Sequence, residues 1–335
     1  MTKARPRLVA VVVTCNRLAK LKVTLARYLE APPEVLEAIM LIDNASGDGT
    51  ADYLAGLNDP RLHVLRLTEN TGGAGGFETG VREAARRFDP DWMVLSDDDA
   101  RPEPGALSAF LDSRPDDRWE GAAAAVRFPD GRICGMNRPV LDPFRDGRAF
   151  LRTLRAGRAG FHLSDEDYAP GAPERDIHGA SFVGFFLSRA GLKRAGLPDG
   201  TLFLYADDAL YTLGLTRAGG RIGFLPQVGF EHDLTSLTGP RGGRLQPLWR
   251  VYYYHRNLLF LYRLCAGRLF WPVLCLVLPM WFLKIRRYGG ERAGFLRLMR
   301  AAVADGLRGR KTRPHGEVLK MAGVQRGDQR LSRST

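Results

Sequence analysis

Three consecutive carboxylates, Asp97, Asp98 and Asp99, come shortly after an apolar run at residues 92–95. A run this short, bounded by proline on both sides, predicts a buried strand, and open α/β sheets bind ligands at the carboxyl ends of their strands. Three adjacent negative charges repel one another, and a divalent cation relieves that repulsion. Carboxylate oxygens suit Mg²⁺ or Mn²⁺, so the triplet is a candidate metal site, although such a triplet alone is more often an acidic, solvated turn.

Strands and helices are predicted to alternate around this triplet. Continuous apolar runs predict strands, and apolar residues at helical spacing predict helices. Four alternations within about one hundred residues predict a mostly parallel twisted sheet with helices on both faces. Polar and glycine residues at the strand ends would then meet along one edge of the sheet. The predicted strands are residues 8–13, 38–42, 62–67 and 92–95, and the predicted helices are residues 18–29, 50–57 and 77–88.

The second half of the chain is less regular. Residues 137–176 combine many Arg, Gly, Asp and Pro residues and predict a long irregular region on the substrate side, or a mobile loop. Beyond it, an apolar run at residues 177–189 predicts a strand, and Asp207 and Asp208 precede a predicted helix. The remaining predicted elements are helices at 106–111, 190–195 and 209–218 and strands at 122–128 and 221–225.

A dense glycine run at residues 72–76 precedes the third predicted helix. No Lys-Ser/Thr pair follows it, which excludes a Walker loop, and its spacing does not fit the GxGxxG pattern of dinucleotide-binding sites. Glycines let a backbone approach a ligand closely and leave amide groups free at a helix amino terminus. The run therefore predicts either a ligand-binding loop or a flexible entry to the helix.

Several short motifs follow one another in a fixed order over about residues 7–235. They are Thr14-Cys15-Asn16-Arg17, Ile42-Asp43-Asn44-Ala45-Ser46-Gly47-Asp48-Gly49-Thr50, Asn70-Thr71-Gly72-Gly73-Ala74-Gly75-Gly76-Phe77, Asp97-Asp98-Asp99, Phe203-Leu204-Tyr205-Ala206-Asp207-Asp208 and His232. In this order they resemble the inverting family 2 glycosyltransferases with the GT-A fold. The glycine motif and the two acidic motifs most resemble bacterial galactofuranosyltransferases, and rhamnosyltransferases of surface-polysaccharide pathways share much of the pattern.

The resemblance implies a chemistry that these residue types can supply. In an inverting transfer, an acceptor hydroxyl attacks the anomeric carbon of a nucleotide sugar, which requires charge neutralisation on the leaving diphosphate and a base for the proton. By resemblance, Asp97 and Asp99 ligate Mn²⁺ or Mg²⁺ and His232 is a further ligand, with a partly buried structural histidine as the alternative. Asp208 is the expected base with Asp207 beside it, and both residues also suit the start of a helix.

The resemblance also implies where the nucleotide sugar binds. Asp43 would read the uracil or thymine ring, and the glycine motif would approach the diphosphate or the sugar. The chain departs from the family pattern in two places: the common Glu-Asp pair is Asp207-Asp208 here, and His232 precedes an aspartate instead of an aromatic residue. The expected contacts to the nucleotide sugar are Thr14, Asn16, Arg17, Asp43, Asn70, Gly72, Gly73, Gly75, Asp97 and Asp98.

The carboxyl-terminal third is basic and apolar. The chain of 335 residues carries a formal net charge of +12, with much of the excess in this third. Residues 250–262 are aromatic and basic, which alone would suit stacking on nucleic-acid bases. The uncharged run 269–283 instead predicts an interfacial or re-entrant membrane segment, because a full span needs about 20 residues and Pro272 and Pro279 disturb a helix. A buried core helix or a dimer face is the alternative, and beyond about Arg308 we expect a mobile basic tail.

Cysteine usage and the amino terminus bear on the compartment. Four scattered cysteines form no CxxC pair, which predicts neither a zinc site nor a disulfide framework and favours a reducing cytoplasm. The first residues do not resemble a secretory signal. We expect a GT-A glycosyltransferase domain at residues 1–240 and a helical, membrane-associated region at residues 241–335, peripheral on the cytoplasmic face of the inner membrane.

The sequence thus predicts a metal-dependent inverting glycosyltransferase, a hexosyltransferase that moves galactofuranose from UDP-galactofuranose to a lipid-linked cell-surface glycan. A rhamnosyltransferase using dTDP-rhamnose is the alternative. A nucleic-acid-binding protein is supported only by charge and the tyrosine cluster, and we expect no nucleic-acid partner. A nucleotidyltransferase would release pyrophosphate instead of a nucleoside diphosphate. The donor sugar, the acceptor, the linkage and the oligomeric state stay open, a homo-oligomer included.

Overall fold

The computed structural model describes residues 5–113, 115, 118–145, 147–234 and 243–324. Its first elements are β1 (Leu8–Thr14), α1 (Leu18–Leu29), β2 (Ala38–Asp43), α2 (Thr50–Ala55), β3 (Leu62–Arg66), α3 (Gly72–Phe88) and β4 (Trp92–Asp97). β1 pairs in parallel with β2 and β4, and β2 pairs in parallel with β3. The alternation of strand and helix predicted for this half is confirmed. All of β1 is buried, which explains its continuous apolar sequence.

The second half adds antiparallel strands to the same sheet. Its elements are β5 (Ala100–Pro102), α4 (Ala106–Asp112), β6 (Gly121–Arg127), α5 (Gly147–Ala156), β7 (Arg175–Ile177), β8 (Phe185–Ser188), α6 (Arg189–Ala195), α7 (Asp207–Arg217) and β9 (Ile222–His232). The strand order is β3-β2-β1-β4-β8-β6-β9-β5, and β7 pairs with β9. β8 lies antiparallel between β4 and β6. The sheet is therefore mixed, and the expectation of a mostly parallel sheet is right for the first four strands.

Three stretches differ from the sequence predictions. The apolar run at residues 177–189 is not one strand, because β7 ends at Ile177 and β8 begins at Phe185. Strand β9 continues through Pro226, where the sequence predicts an end, and a bulge relative to β6 absorbs the irregularity. The expected irregular region at 137–176 contains helix α5, of which only Ala149 is buried, while its apolar Leu151 and Leu154 are exposed.

The sheet carries an apolar core on each face. Alternate residues of β1 point to opposite sides, so Val12 belongs to one core and Val11 to the other. In the first core, Phe110 of α4 stacks on Phe186 of β8 with ring centroids 3.7 Å apart. The second core lies under α3, which contributes Phe77. These two cores fix the strand ends along one edge of the sheet.

Four helices follow the sheet and share a third core. They are α8 (Arg250–Ala266), α9 (Phe270–Leu283), α10 (Arg292–Arg308) and α11 (His315–Ala322). Helix α11 buries Val318 and Leu319 in this core. The prediction of a mobile tail beyond Arg308 is therefore wrong for residues 309–324, and residues 325–335 lie outside the described part of the chain.

Helix α9 accommodates both of its prolines. Pro272 lies in the first turn, where a missing N–H costs little, and the helix continues past Pro279. One side of α9 is exposed, with Trp271 at 61% and Leu276 at 71% of full exposure. By length and composition, the helical stretch Arg250–Arg287 is long and apolar enough to cross a membrane, a criterion that core helices of soluble proteins also meet.

Candidate active site at the carboxyl edge of the sheet

Three of the predicted site residues end neighbouring parallel strands. Thr14 is the last residue of β1, Asp43 of β2 and Asp97 of β4. The register pairs Thr14 with Asp43, and it pairs the preceding residue, Val13, with Asp97. The three side chains therefore lie along one edge of the sheet, as the sequence predicts.

Arg17 neutralises two of the three adjacent aspartates from inside the protein. Its Nη1 donates hydrogen bonds to Asp98 Oδ1 at 3.2 Å and to Asp99 Oδ2 at 2.6 Å. The Thr14 hydroxyl donates to the other oxygen of Asp98 at 2.7 Å. Because these internal bonds engage both oxygens of Asp98, Asp97 and Asp99 are the members of the triplet better placed to hold a cation.

His232 approaches Asp99 because β5 and β9 pair side by side. The pairing sets Ala100, the residue after Asp99, opposite His232 at the end of β9. His232 Nε2 lies 3.2 Å from Asp99 Oδ1, and Nδ1 lies 2.7 Å from Asn137 Oδ1. Burial lowers the pKa of His232, but the Asp99 and Cys134 side chains outweigh it and raise that pKa to about 9. The structure thus brings His232 next to Asp99, and its role as a further metal ligand stays a prediction.

The donor atoms around Asp97 and Asp99 suit a hard divalent cation. Asp99 Oδ1 is buried and lacks a hydrogen bond of good geometry within the described part of the chain. Burial and the nearby Asp99 carboxylate raise the pKa of Asp97 to about 7, a penalty that a bound cation would remove. Among the described residues no three His, Cys, Asp or Glu side chains are already arranged around one point. Binding a cation here therefore requires the side chains to rearrange. In this structure the hydrogen bond from Arg17 holds Asp99, so Arg17 must move for Asp99 to turn towards a cation.

Asp207 and Asp208 begin helix α7, where the helix dipole favours negative charge. Asp208 Oδ1 accepts a hydrogen bond from the Ala209 backbone N–H at 2.7 Å. Burial raises the pKa of Asp208 to about 6, and burial together with the Asp208 charge raises the pKa of Asp207 to about 8. The charge of Asp97 also raises the pKa of Asp207, so the two acidic motifs lie within electrostatic reach of each other.

A strained loop positions this pair. Phe203, Tyr205 and Ala206 all have positive φ, between 58° and 71°, a region that residues with side chains rarely occupy. Asn257 of α8 is fully buried, and its Nδ2 lies within hydrogen-bond distance of three carbonyl oxygens of this loop. The distances are 3.1 Å to Leu202, 2.9 Å to Leu204 and 2.8 Å to Tyr205.

The neighbouring Arg256 and two aromatic rings hold the same loop. Arg256 is also fully buried, and its Nη2 donates to the Leu202 carbonyl at 2.8 Å. The Phe203 ring stacks on Tyr253 and on His315, with centroids 4.7 Å and 4.5 Å away. Sequence reasoning missed these residues. The one sequence feature that pointed to them was the aromatic and basic stretch at 250–262. That stretch suggested ring stacking but did not identify Phe203 as the ring on which Tyr253 stacks.

Two asparagines hold the glycine motif against the sheet. Asn44 Nδ2 donates to the Gly72 carbonyl at 2.9 Å, and Asn44 Oδ1 accepts from the Thr71 N–H at 2.9 Å. Asn70 Oδ1 accepts from the Gly72 N–H at 2.8 Å. Asn70 was a predicted site residue, whereas Asn44 was not. The position of Asn44 directly after β2 was the sequence feature that could have identified it.

The glycine motif forms the first turns of α3 and not a loop before it. The helix begins at Gly72, so the prediction that it starts near Phe77 is wrong. A Cβ on Gly76 would lie 2.5 Å from Val13, which shows that this glycine brings the helix close to β1. Gly72 has a φ of +74°, and a Cβ there would collide with the Phe203 carbonyl. Gly73 has open space around its Cα, so it is the glycine that a ligand can approach.

Asp43 and Asn16 lie at the carboxyl ends of β2 and β1. Asp43 is buried, and its Oδ1 accepts from the Ser46 N–H at 2.9 Å. Its Oδ2 has no hydrogen-bond partner in the described chain, with Arg66 Nε 3.5 Å away. Asn16 Oδ1 accepts from the Gly47 N–H at 2.7 Å. A buried carboxylate oxygen without a donor suits the N–H of a pyrimidine ring.

Comparison with known families identifies relatives of this chain. Residues 9–138 match the family described as Glycosyl transferase family 2, a segment that holds the glycine motif and the Asp triplet. An undecaprenyl-phosphate mannosyltransferase of Micrococcus luteus is 32% identical over 109 residues, which is 32% of this chain but only 44% of that protein. The chain thus spans less than half of that relative.

Two further relatives match over longer stretches. The galactofuranosyltransferase GlfT1 of Mycolicibacterium smegmatis is 26% identical, covering 67% of this chain and 70% of that protein. An N-acetylglucosaminyl-diphospho-decaprenol L-rhamnosyltransferase of Mycobacterium tuberculosis is 24% identical, covering 60% and 68%.

A solved structure shares the fold. The mannosyltransferase PcManGT of Pyrobaculum calidifontis, in complex with GDP-Man and Mn²⁺, superposes with a TM-score of 0.52 at 18% identity. The match covers 98% of this chain and 84% of that one. The resemblance drawn from the sequence motifs is therefore confirmed for residues 9–138, which match the family 2 glycosyltransferases, and the chain as a whole shares the fold of a solved glycosyltransferase.

Proposed function

We propose that the protein is a metal-dependent inverting glycosyltransferase that transfers a sugar from a nucleotide donor to a lipid-linked cell-surface glycan. The observation that carries this proposal is the pairing of two acidic motifs across one edge of the sheet. The charge of Asp97 raises the pKa of Asp207, so the Asp triplet and the Asp207–Asp208 pair lie within electrostatic reach of each other. One motif suits a cation and the other suits a base, which are the two requirements of the transfer.

Each side chain then has a separate role. A bound Mn²⁺ or Mg²⁺ would be held by Asp97 and Asp99, with His232 beside them, and would neutralise charge on the leaving diphosphate. Asp208 accepts the proton of the acceptor hydroxyl as that oxygen attacks. Asp43 receives the pyrimidine N–H, and the open backbone at Gly73 borders the diphosphate.

Galactofuranose from UDP-galactofuranose is the donor sugar that we propose, with rhamnose from dTDP-rhamnose as the alternative. The support is the match to a galactofuranosyltransferase over two thirds of this chain and a match of similar extent to a rhamnosyltransferase. The rhamnosyltransferase name includes a lipid diphosphate as the acceptor. A lipid-linked acceptor also agrees with the exposed apolar side of α9, through which the protein would lie on the cytoplasmic face of the membrane.

The tyrosine cluster gives the nucleic-acid alternative little support. Tyr252 and Tyr253, which would have to stack on bases, are buried, and so is Arg256. Tyr252 instead donates a hydrogen bond to Asp305 at 2.7 Å.

A donor panel tests the proposed function. Purified protein, Mn²⁺ and membrane lipid extract are mixed with UDP-galactofuranose, dTDP-rhamnose or common UDP-hexoses, and nucleoside diphosphate release is measured. We expect release from one of the first two donors and its loss with EDTA. Asp99→Ala should abolish the Mn²⁺-dependent release, whereas Asp112→Ala, an exposed aspartate of α4, should not. Release of pyrophosphate, or release that EDTA leaves unchanged, would contradict the proposal.

A further inference from the structure

A group of basic side chains lies beside the loop that positions Asp207 and Asp208, and the roles assigned above do not use it. This basic cluster consists of Arg244, Arg250, Lys284 and Arg287. The segment before α8 and the segment after α9 both contribute to this cluster and lie in contact. The contact is close, because a Cβ on Gly243 would collide with the Arg287 side chain. The chain has no acidic residue between Asp233 and Glu291.

Most of this positive charge is not balanced by acidic side chains among the described residues. Arg244 pairs with Glu291. Across the described residues, no ion pair joins Arg250, Lys284 or Arg287 to an acidic side chain, and by sequence the adjoining residues 235–242 contain an arginine but no acid. Lys284 is half-buried, and its pKa is lowered by burial and by the nearby Arg287 charge. Uncompensated cations at a partly buried position favour a bound anion.

Tyrosine rings connect the basic cluster to the loop at residues 202–206 that precedes Asp207. The Tyr205 ring lies 5.6 Å from the Tyr254 ring, and Lys284 Nζ lies 5.8 Å from the centre of the Tyr254 ring. Arg250 lies close enough to Tyr205 for its charge to oppose the rise that burial causes in the pKa of that hydroxyl. Tyr205 is two residues before Asp207, so an anion held here is adjacent to the base.

Three buried donors in this region also lack acceptors. They are Arg244 Nε, Trp249 Nε1 and Arg250 Nε, none of which has a hydrogen-bond partner in the described chain. Trp249 is only 4% exposed. Buried N–H groups are nearly always hydrogen-bonded in folded proteins, so three such groups within seven residues indicate an acceptor supplied by a ligand.

We propose that Arg250 and Lys284, together with Tyr205, bind the diphosphate of the lipid-linked acceptor. The inference rests on the proposed function, because it takes the acceptor hydroxyl to lie at Asp208. A diphosphate carries several acceptor oxygens and matches both the cations and the unpartnered donors. The nucleotide diphosphate is assigned to the opposite side of the site, at Asp97 and Asp99.

The position of α9 accounts for the rest of such an acceptor. Lys284 directly follows the last residue of α9, and the exposed side of this helix carries Leu276, Met280 and Leu283. A polyprenyl chain leaving the basic cluster would therefore meet an apolar surface at once. The same surface meets the bilayer, so the acceptor need not leave the membrane to reach Asp208.

A binding measurement on the full chain in detergent micelles tests the site without turnover. Farnesyl diphosphate is titrated calorimetrically into the wild type, Arg250→Gln and Lys284→Gln. We expect the Kd to rise about tenfold in each variant, the loss of one charge-assisted hydrogen bond. Lys284→Arg should restore binding, and Arg268→Gln, an exposed arginine before α9, should stay within about twofold.

A kinetic arm separates this site from its alternatives. With farnesyl-diphospho-N-acetylglucosamine as acceptor, the two variants should raise the acceptor KM and leave the donor KM unchanged, while octyl N-acetylglucosaminide should show no change. Unchanged binding of farnesyl diphosphate, or equal weakening for phosphatidylglycerol micelles, would overturn the proposal, the latter in favour of a bilayer headgroup site. Binding that depends on Arg250 without any transfer would sustain the anion site and contradict the proposed function instead.

Discussion

The two carboxylates that begin α7 are adjacent but chemically different. Asp208 keeps a hydrogen bond from the Ala209 N–H, which favours its ionised form, and its pKa rises only to about 6. Asp207 is partly buried beside that charge and within reach of Asp97, and its pKa rises to about 8. Ionisation is therefore more favourable at Asp208 than at Asp207. This difference supports Asp208 as the base.

This assignment predicts the pH dependence of transfer. Because the base must be ionised, kcat/KM should increase as pH rises through about 6, the pKa of Asp208, and then level off. Asp208→Asn should remove this limb of the profile and lower kcat at least about hundredfold, with the Kd for nucleotide within about twofold. Initial rates from pH 5 to 8 and calorimetric nucleotide titration measure both. Wild-type turnover by Asp208→Asn would exclude it as the base.

Sequence reasoning found the charged residues of the site better than the amides that hold them. The acidic triplet was singled out by its position after a strand, and the resemblance to family 2 glycosyltransferases then assigned roles to Asp97, Asp99 and Asp208, which stay predictions. Asn44 and Asn257 were not singled out, because an asparagine has no local pattern that distinguishes a surface position from a buried contact. Their roles depend on which distant carbonyl groups the fold brings to them.

At the scale of elements, the loop before α7 is held in an unfavourable backbone conformation by α8. Three residues with positive φ cost free energy, of the order of 1–3 kcal/mol each, and persist only where neighbours fix them. Asn257 and Arg256 supply that constraint through the carbonyl groups of the loop. We infer that α8 positions Asp207 and Asp208 and does not merely connect the sheet to the helices that follow.

Removing the Asn257 amide tests that role. Asn257→Ala should lower kcat about tenfold to hundredfold while the donor KM changes little, since a displacement of about 1 Å in a catalytic group has effects of this size. Asn257→Asp, which keeps the shape but has no N–H to donate, should behave like Asn257→Ala. Arg263→Ala, an exposed side chain on the same helix, is the control. A loss of thermal stability with an unchanged kcat would indicate a purely structural amide.

Elements built from local patterns were predicted, and those that depend on tertiary contacts were not. The first four strands and α1 follow from continuous or periodic apolar residues. The start of α3 was misjudged because glycine is a poor helix former, yet here it lets the helix pack against Val13. Helix α11 was missed because its surroundings are basic, and only its packing against α10 reveals a buried side.

At the scale of the whole molecule, the carboxyl-terminal helices pack against the elements that carry the candidate site. The third core includes residues of α8 to α11. It also includes Phe203, Leu204 and Tyr205 of the loop that precedes α7. Arg217 of α7 donates to the carbonyl of Cys265 near the end of α8 at 2.6 Å. Removing residues after Gly267 would therefore expose this core and disturb the site, so truncation is a poor test of membrane binding. Substitutions on the exposed side of α9 avoid that problem.

Replacing Trp271, Leu276 and Met280 together with serine should release the protein from membranes. All three are more than half exposed, so the change should leave the fold intact. Each large apolar side chain withdrawn from lipid costs about 1.5–3 kcal/mol, so the partition coefficient onto vesicles should fall by more than about a hundredfold. Cosedimentation with anionic vesicles measures it, and Val23→Ser with Val64→Ser, exposed elsewhere, is the control. Undiminished sedimentation would move the membrane contact away from α9, with the exposed Leu151 and Leu154 of α5 the next surface to test.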